Sequence, residues 1–184
     1  MILPFVREVL ADVEKSPGFQ QAALYLKQRR GESKPPAGRI RLSGLISSAK
    51  AILIPYLQRA AGVPLILIVA DNRAAEAVCP LIQSFCELTG ACSPQSVIKF
   101  PAYDVLPFEN MSPHPDIQEE RATALWKIST NAASIVIVPL NAASMRLRSA
   151  EHYSGLARII RRTDMLDLEE LVSRNARATS EIVH

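Results

Sequence analysis

One short stretch of this chain has the spacing of a phosphate-binding loop. It runs from residue 44 to 51 and reads GLISSAKA. The P-loop pattern G-x-x-x-x-G-K-[ST] places a glycine before the lysine and a hydroxyl residue after it. Here Ala49 and Ala51 stand at those two positions. The chain therefore keeps the spacing of a nucleotide-binding loop and lacks both the second glycine and the hydroxyl residue of the pattern.

The two alanines remove different parts of the chemistry. An intact loop wraps phosphates with backbone N–H groups, and its lysine reaches the terminal phosphates. Ala49 adds a Cβ where the backbone must approach a phosphate closely, and Ala51 offers no oxygen to magnesium. We therefore predict a degenerate nucleotide-binding loop without ATP hydrolysis, formed by Gly44, Ser48, Ala49, Lys50 and Ala51. Two interpretations stay open: weak anion binding at the start of the following helix, or a purely structural remnant.

Other polar residues do not form a recognisable catalytic pattern. His114 lies between Pro113 and Pro115, and no serine or cysteine nucleophile is paired with it by a known spacing. We predict a loop histidine that caps or packs. Asp104, Glu109 and Asp116 match no metal-ligand spacing, and Asp116 is predicted to cap a helix. The sequence therefore predicts no catalytic residue and no metal site.

Composition is that of an ordinary globular chain with an aliphatic core. Of 184 residues, 48% are hydrophobic, 21% are charged and 5% are aromatic. No apolar run approaches the roughly 20 residues of a membrane span, and the N-terminus does not resemble a signal peptide. The three cysteines contain no C-x-x-C pair, which favours reduced thiols and a cytoplasmic location. Neither a membrane nor a cofactor of its own is predicted.

The charge distribution leaves one binding function open. The net charge of +3 is too small to indicate nucleic-acid binding by itself. Basic residues nevertheless collect near both ends of the chain, at 27–41 and 146–162. Direct DNA binding through these ends is therefore an alternative, although solvated faces explain them about as well.

Strand and helix patterns alternate after an N-terminal helical segment. Residues 4–30 read as helix broken near 16–18, and 31–38 as a linker. Strands are predicted at 39–43, 64–70, 96–100 and 134–138, with 64–70 covered on both faces. Helices are predicted at 48–61, after an N-cap at Asp71, and from Asp116. This order predicts an α/β fold of the P-loop NTPase kind, with a parallel sheet and helices on both faces.

We predict three segments in this chain. Residues 1–38 form an N-terminal helical segment and linker, and residues 39–150 form the α/β domain with the degenerate loop. Residues 151–184 begin a second, α+β domain. Ligands of parallel α/β sheets bind beside the carboxyl ends of the strands. The loop at Gly44 and the segment after Phe100 are both predicted to lie at that edge.

A second motif carries a family resemblance. Residues 100–121 read FPAYDVLPFENMSPHPDIQEER, which resembles the N-terminal region of the bacterial transcription-repair coupling factors (Mfd). That family reads F-P-x-[WY]-[DE]-x-L-P-[YF], then S-P-H-x-D-I and an arginine soon after. Residues 44–51 match its own degenerate loop, usually G-L-x-G-S-A-K-A, with Ser47 replacing a glycine. Residues 138–142 also match this family. The resemblance as a whole covers about residues 20–184.

The resemblance implies a fold, a partner and a larger protein. This region of the family is similar to domain 1a and the start of domain 2 of the excision-repair protein UvrB. It implies a non-catalytic module that docks on UvrA, with Arg177 as a tentative contact, and that restrains the rest of its own chain. ATP, magnesium, RNA polymerase and DNA would be used by the full-length protein, an ATP-dependent DNA translocase. By the same resemblance, the chain is expected to be a fragment that ends early in domain 2.

An active P-loop ATPase or helicase half-motor is the alternative of a different class. It requires an acidic residue that holds magnesium after a later strand. Val138 is followed instead by Pro139, Leu140 and Asn141. This sequence argues against a working motor in this part of the chain.

Overall fold

The computed structural model describes residues 4–30, 38–105, 111–156 and 169. Ten helices and strands and one short 3-10 turn follow one another along these segments, with helices before, between and after three strands. They are α1 (Pro4–Lys15), α2 (Pro17–Arg30), α3 (Ser47–Ala61), β1 (Leu65–Val69), α4 (Asn72–Thr89), the 3-10 turn (Pro94–Ser96), β2 (Val97–Lys99), α5 (Pro115–Ser129), β3 (Ile135–Pro139), α6 (Leu140–Ala143) and α7 (Ala150–Leu156). The predicted break near residues 16–18 is confirmed.

The three strands form one parallel sheet in the order β1-β3-β2. Leu65 pairs with Ile135 in one register, and Val97 pairs with Ile135 in the other. All five residues of β3 are buried, because this strand has a neighbour on each side and helices on both faces. The predicted α/β fold with a parallel sheet is confirmed at this level. No relationship to UvrB follows from the sheet alone.

Helix α4 covers one face of the sheet. Its start is fixed by the predicted N-cap Asp71, whose side chain accepts a hydrogen bond from the Ala74 N–H at 2.8 Å. Ala75, Cys79, Ile82 and Cys86 recur at helical spacing and are buried against β3. On the other face, the helix α5 buries Ala124 and Leu125 against β2 and β3.

The N-terminal helices pack against α3 rather than against the sheet. Leu10 from α1 and Phe19 from α2 are buried with Tyr56 of α3. The Tyr56 hydroxyl donates to the Leu10 carbonyl at 3.3 Å, and the rings of Phe19 and Tyr56 meet edge to face at 5.9 Å. This small second core connects residues 4–30 to the helix that follows the degenerate loop.

One strand prediction is wrong, and another is right about the strand but wrong about its burial. Residues 39–43 pair with no strand in the described part of the chain and run exposed toward Gly44, while Ile40 and Leu42 line a cavity against α2 and α3. Strand β1 is not covered on both faces: Ile66 is 70% exposed and Ile68 is 57% exposed. The helix α5 packs over β2 and β3, and the exposed face of β1 borders an open apolar groove of about 420 Å³.

The cysteines also depart from expectation. Cys86 and Cys92 are joined in a disulfide, whereas Cys79 is free and buried. The expectation of reduced thiols therefore holds in this structure for Cys79 alone. Cys79 and Cys86 both lie in the core cluster beneath α4.

Helix α7 spans the predicted domain boundary at residue 150 and packs beside α5. Of residues 157–184, only residue 169 is among the described residues, so the three-segment division stays a prediction. Among the helices that the structure describes, none is long and apolar enough to cross a membrane.

Candidate functional site

The degenerate loop enters helix α3 without a preceding strand. Gly44 adopts φ +77°, a left-handed conformation that favours glycine. Ile46 is the N-cap of α3, and its side chain makes no capping hydrogen bond. The helix begins at Ser47, at the residue that replaces the glycine of the resembled family. The turn is therefore built around Gly44, which is the first glycine of the P-loop frame.

The side chains of the loop point to different environments. Ser48 and Lys50 are exposed, and Ala49 is partly buried. Ala51 is fully buried in the core cluster that contains Ala75, Ile82 and Ile137. The methyl group thus fills the junction between α3, α4 and the sheet, at the position where a working loop carries its magnesium-binding hydroxyl.

The cavity next to the loop does not include its lysine. It contains Ser43 and Leu45 and is formed against α2 and α3. Lys50 itself is exposed to solvent. The arrangement is that of a helix start packed through Ala51, which agrees with the structural-remnant interpretation.

Asn72 connects two chain segments at the carboxyl edge of the sheet. Its side-chain amide donates to the Ala102 carbonyl at 2.9 Å, and its carbonyl oxygen accepts from the Ala102 N–H at 2.8 Å. This pair of bonds ties the start of α4 to the segment that leaves β2. Asn72 was missed by sequence reasoning, because an asparagine after a strand is also a common turn or capping residue.

Arg121 is the second organiser of this edge and is 3% exposed. Its guanidinium carbon lies 4.1 Å from the ring centre of Phe100 and 4.0 Å from that of Tyr103. Nη1 donates to the Pro101 carbonyl at 2.5 Å, and Nη2 lies 3.9 Å from the Met145 sulfur. Arg121, which matches the arginine of the resembled motif, therefore contacts three residues of the F-P-x-Y segment: Phe100, Pro101 and Tyr103.

The positive charge of Arg121 is stabilised by the rings of Phe100 and Tyr103 and by the Pro101 carbonyl. Within residues 4–30, 38–105 and 111–156, no carboxylate forms a salt bridge with it. Burial lowers the pKa of its guanidinium, and the nearby Tyr103 partly opposes this shift. The aromatic faces supply the negative potential that a carboxylate would otherwise provide.

His114, and not Asp116, is the N-cap of helix α5. Its Nδ1 accepts from the Asp116 N–H at 3.3 Å, which confirms a capping histidine. The prediction of Asp116 as the N-cap is wrong, because Pro115 already occupies the first helical position. The backbone N–H of His114 donates to Asp104 Oδ1 at 3.2 Å.

These carboxylates do not assemble into a metal centre. Among the residues that the structure describes, no group of three or more histidine, cysteine, aspartate or glutamate side chains could hold a metal ion. Glu109 and the tentative partner contact Arg177 lie outside the described residues. The structure places the packing residues of the two motifs in separate core clusters, Ala51 in one and Phe100 and Ala102 in the other, and no described cavity includes both Lys50 and the segment after Phe100.

A substitution of Asn72 tests whether its side chain ties the start of α4 to the segment that leaves β2. Replacing it with alanine removes both bonds to Ala102, a residue that is 9% exposed. Leaving those backbone groups without partners should lower the free energy of unfolding by about 2 kcal/mol. Urea denaturation followed by circular dichroism measures the change. The matched control Asn141→Ala, at an exposed position of α6, should change it by less than about 0.5 kcal/mol; equal effects would contradict the bridging role.

Comparison with known proteins gives sequence relatives and no structural ones. The transcription-repair-coupling factor of Escherichia coli is 27% identical over 136 residues, which is 73% of this chain and 11% of that protein. The factor of Myxococcus xanthus is 30% identical over 90 residues, 49% of this chain and 8% of that protein. The factor of Haemophilus influenzae is 22% identical over 130 residues, 71% of this chain and 11% of that protein.

The matches span about a tenth of the length of these curated relatives. No family model and no solved structure matches the chain. Three proteins with the same name in three bacteria nevertheless agree with the resemblance carried by residues 44–51 and 100–121. The chain is thus similar in sequence to the transcription-repair-coupling factors, over as much as 73% of its length.

Proposed function

We propose that this chain is a UvrB-like binding module without catalysis of its own, which recruits UvrA during transcription-coupled repair. In this proposal the module belongs to a longer ATP-dependent DNA translocase that acts on stalled RNA polymerase, and it restrains that motor until recruitment. ATP and magnesium are used by the motor and not by the degenerate loop. The similarity to transcription-repair-coupling factors supports the pathway.

The burial of Ala51 is the observation that carries the non-catalytic part of the proposal. Its side chain is 0% exposed and belongs to the core, so the position that would ligate magnesium in a motor is used for packing. Lys50 is exposed, and the strand β3 is followed by Leu140 and Asn141 rather than by an acid. All three features favour a scaffold over a phosphoryl-transfer site.

Nucleotide titration tests this assignment. The chain is titrated with ATP and magnesium by calorimetry, and phosphate release is followed in parallel. We expect no saturable binding below about 1 mM, which corresponds to about −4 kcal/mol, and no turnover above a buffer blank. Micromolar binding with turnover that Lys50→Ala abolishes would overturn the proposal in favour of the half-motor.

Binding to purified UvrA tests the partner. Immobilised chain is titrated with UvrA, and Arg177→Ala is compared with Arg174→Ala, which removes the same charge from the same segment. If Arg177 is the contact, its loss should weaken binding by about tenfold or more, as for an interface hot spot. The control should change affinity by no more than about threefold. No binding by the unaltered chain would contradict the recruitment role.

Direct DNA binding makes a separate and opposite prediction. Contacts through the basic ends would give an affinity that falls steeply with salt. In a gel-shift titration at low salt, the proposed module should leave both single- and double-stranded DNA unshifted. A salt-dependent shift would favour the DNA-binding alternative.

A further inference from the structure

The disulfide between Cys86 and Cys92 closes a turn at the end of α4. Cys86 lies in the last turn of that helix and is fully buried with Ile135 and Ile137. The helix ends at Gly90, which adopts φ +62° and reverses the chain. This reversal brings the Cα atoms of the two cysteines within 5.1 Å, a separation that a disulfide can bridge.

The two cysteines differ in their exposure to solvent. Cys92 is partly exposed, whereas Cys86 is 0% exposed. Thiol–disulfide exchange proceeds by attack of a thiolate on a sulfur that it can reach. An external thiol or disulfide can therefore enter this pair through Cys92, and Cys86 reacts only with its partner.

We propose that Cys86 and Cys92 are a thiol–disulfide switch, entered from solvent at Cys92, that fixes the turn between α4 and β2. The oxidant is a low-molecular-weight disulfide of the glutathione class. The Cys92 thiolate attacks it, forms a mixed disulfide and releases one glutathione thiolate. The Cys86 thiolate then attacks the Cys92 sulfur and releases the second glutathione thiolate. One external disulfide is thereby reduced to two thiols, and the two protein thiols lose their protons and form one disulfide.

The third cysteine does not compete for this pairing. Cys79 lies seven residues before Cys86 on the same helix, about 10 Å along its axis at 1.5 Å per residue. That distance is too long for a disulfide without unfolding the helix. Burial also raises the pKa of the Cys79 thiol, which keeps it protonated and unreactive.

The switch controls the segment that leads into the sheet. Residues 91–96 connect the end of α4 to β2. The hydrogen bonds that tie this connection to α5 and to the start of β3 lie at its far end, where Lys127 Nζ donates to the Gln95 carbonyl at 3.2 Å and the Ser134 N–H donates to the Ser96 carbonyl at 2.8 Å. At its near end the Ala91 N–H donates to Thr89 Oγ1 at 3.3 Å. Ser96 N–H donates to the Ser93 carbonyl at 3.0 Å, and Gln83 donates to the Val97 carbonyl at 3.2 Å. Strand β2 itself is held by its pairing with β3. Reduction should therefore loosen this connection chiefly at Ala91, Cys92 and Ser93, next to the bridge, without unfolding the sheet.

A redox titration combined with hydrogen exchange tests this proposal. The whole chain is equilibrated in glutathione buffers of graded redox ratio, quenched with acid, unfolded in denaturant, alkylated with a maleimide and weighed by mass spectrometry. We expect a change from three alkylated cysteines to one, and a peptide joining Cys86 to Cys92. Amides at 91–93 should exchange about tenfold to a hundredfold faster in the reduced form, while β3 is unchanged.

Two variants separate the switch from a merely structural effect. Cys79→Ser should leave the titration midpoint and the exchange difference as they are. Cys92→Ser, at a partly exposed position, should fold and should exchange at 91–93 at the reduced rate in every buffer. Three alkylated cysteines at all ratios, a bridge that includes Cys79, or identical exchange in both redox states would each overturn the proposal.

Discussion

Replacing Arg121 with alanine is expected to lower the free energy of unfolding by about 3 kcal/mol or more. The side chain is 3% exposed and lies between the rings of Phe100 and Tyr103. Truncation leaves a cavity, removes two cation–π contacts and leaves the Pro101 carbonyl without its donor. Urea denaturation monitored by circular dichroism gives the change, because the midpoint falls in proportion to the lost stability.

Two further substitutions show whether shape or charge dominates at this site. Arg121→Lys keeps the charge, but a compact ammonium cannot fill the space between two rings and is costly to desolvate. Arg121→Met removes the charge and keeps apolar contact with both rings. We expect losses of about 2–3 kcal/mol for lysine and about 1–2 kcal/mol for methionine. Lysine at wild-type stability would show that charge alone is needed.

The control for this series is an arginine on the surface of α4. Arg73 is exposed and takes part in none of the salt bridges among the described residues. Its replacement by alanine should change stability by less than about 0.5 kcal/mol. A comparable loss at Arg73 and Arg121 would mean that the measured effect is net charge and not the buried stack.

Continuous apolar runs predicted the sheet well and its exposed face poorly. Residues 65–69 and 135–139 read alike in the sequence, and both are strands of a parallel sheet. The difference between them is tertiary: α5 packs over β3 and β2 on this face and leaves Ile66 and Ile68 of β1 exposed. A sequence pattern reports which residues are apolar and not which neighbours are present to cover them.

Residues 39–43 show the same limit for a shorter pattern. Their alternation of basic and apolar residues fits a half-buried strand. In the structure Ile40 and Leu42 line a cavity against α2 and α3, and no strand pairs with them in the described part of the chain. Five residues with two apolar side chains satisfy either arrangement, so local pattern could not decide between sheet pairing and helix packing.

The sequence alone predicts those features of the candidate site that depend on the type of a single residue. The missing hydroxyl at Ala51 is evident from sequence, because a methyl group cannot ligate magnesium. Its alternative use in the core required the packing of α3 against α4. The roles of Asn72 and Arg121 also depend on segments 30 and 20 residues away in sequence, and no local pattern connects them.

Restoring the P-loop sequence at residues 49 and 51 is expected to cost stability without creating a nucleotide site. Ala49→Gly places glycine inside α3 and should cost about 0.5–1 kcal/mol. Ala51→Thr adds two heavy atoms at a position that is 0% exposed and should cost about 1–3 kcal/mol through overpacking. Because the two residues are close, their effects need not add. We expect a combined loss of about 2–4 kcal/mol.

Calorimetry with ATP and magnesium measures the other half of this expectation. The threonine hydroxyl would enter the cluster of Ala75, Ile82 and Ile137, away from the solvent that surrounds Lys50. There it can bond only to groups of the protein interior, such as a carbonyl one turn earlier in the helix, and cannot join a metal shell. The double variant should therefore bind ATP no more tightly than the unaltered chain.

An alanine-to-threonine change elsewhere separates overpacking from the lower helix propensity of threonine. Ala77 is an exposed residue of α4, so Ala77→Thr should cost only about 0.6 kcal/mol. If Ala51→Thr costs no more than this control and the double variant binds ATP saturably, then residue 51 faces a phosphate site after all. A larger loss at residue 51 without ATP binding means that the residue has become part of the core, and that sequence restoration cannot recover a function whose space is now occupied by packing.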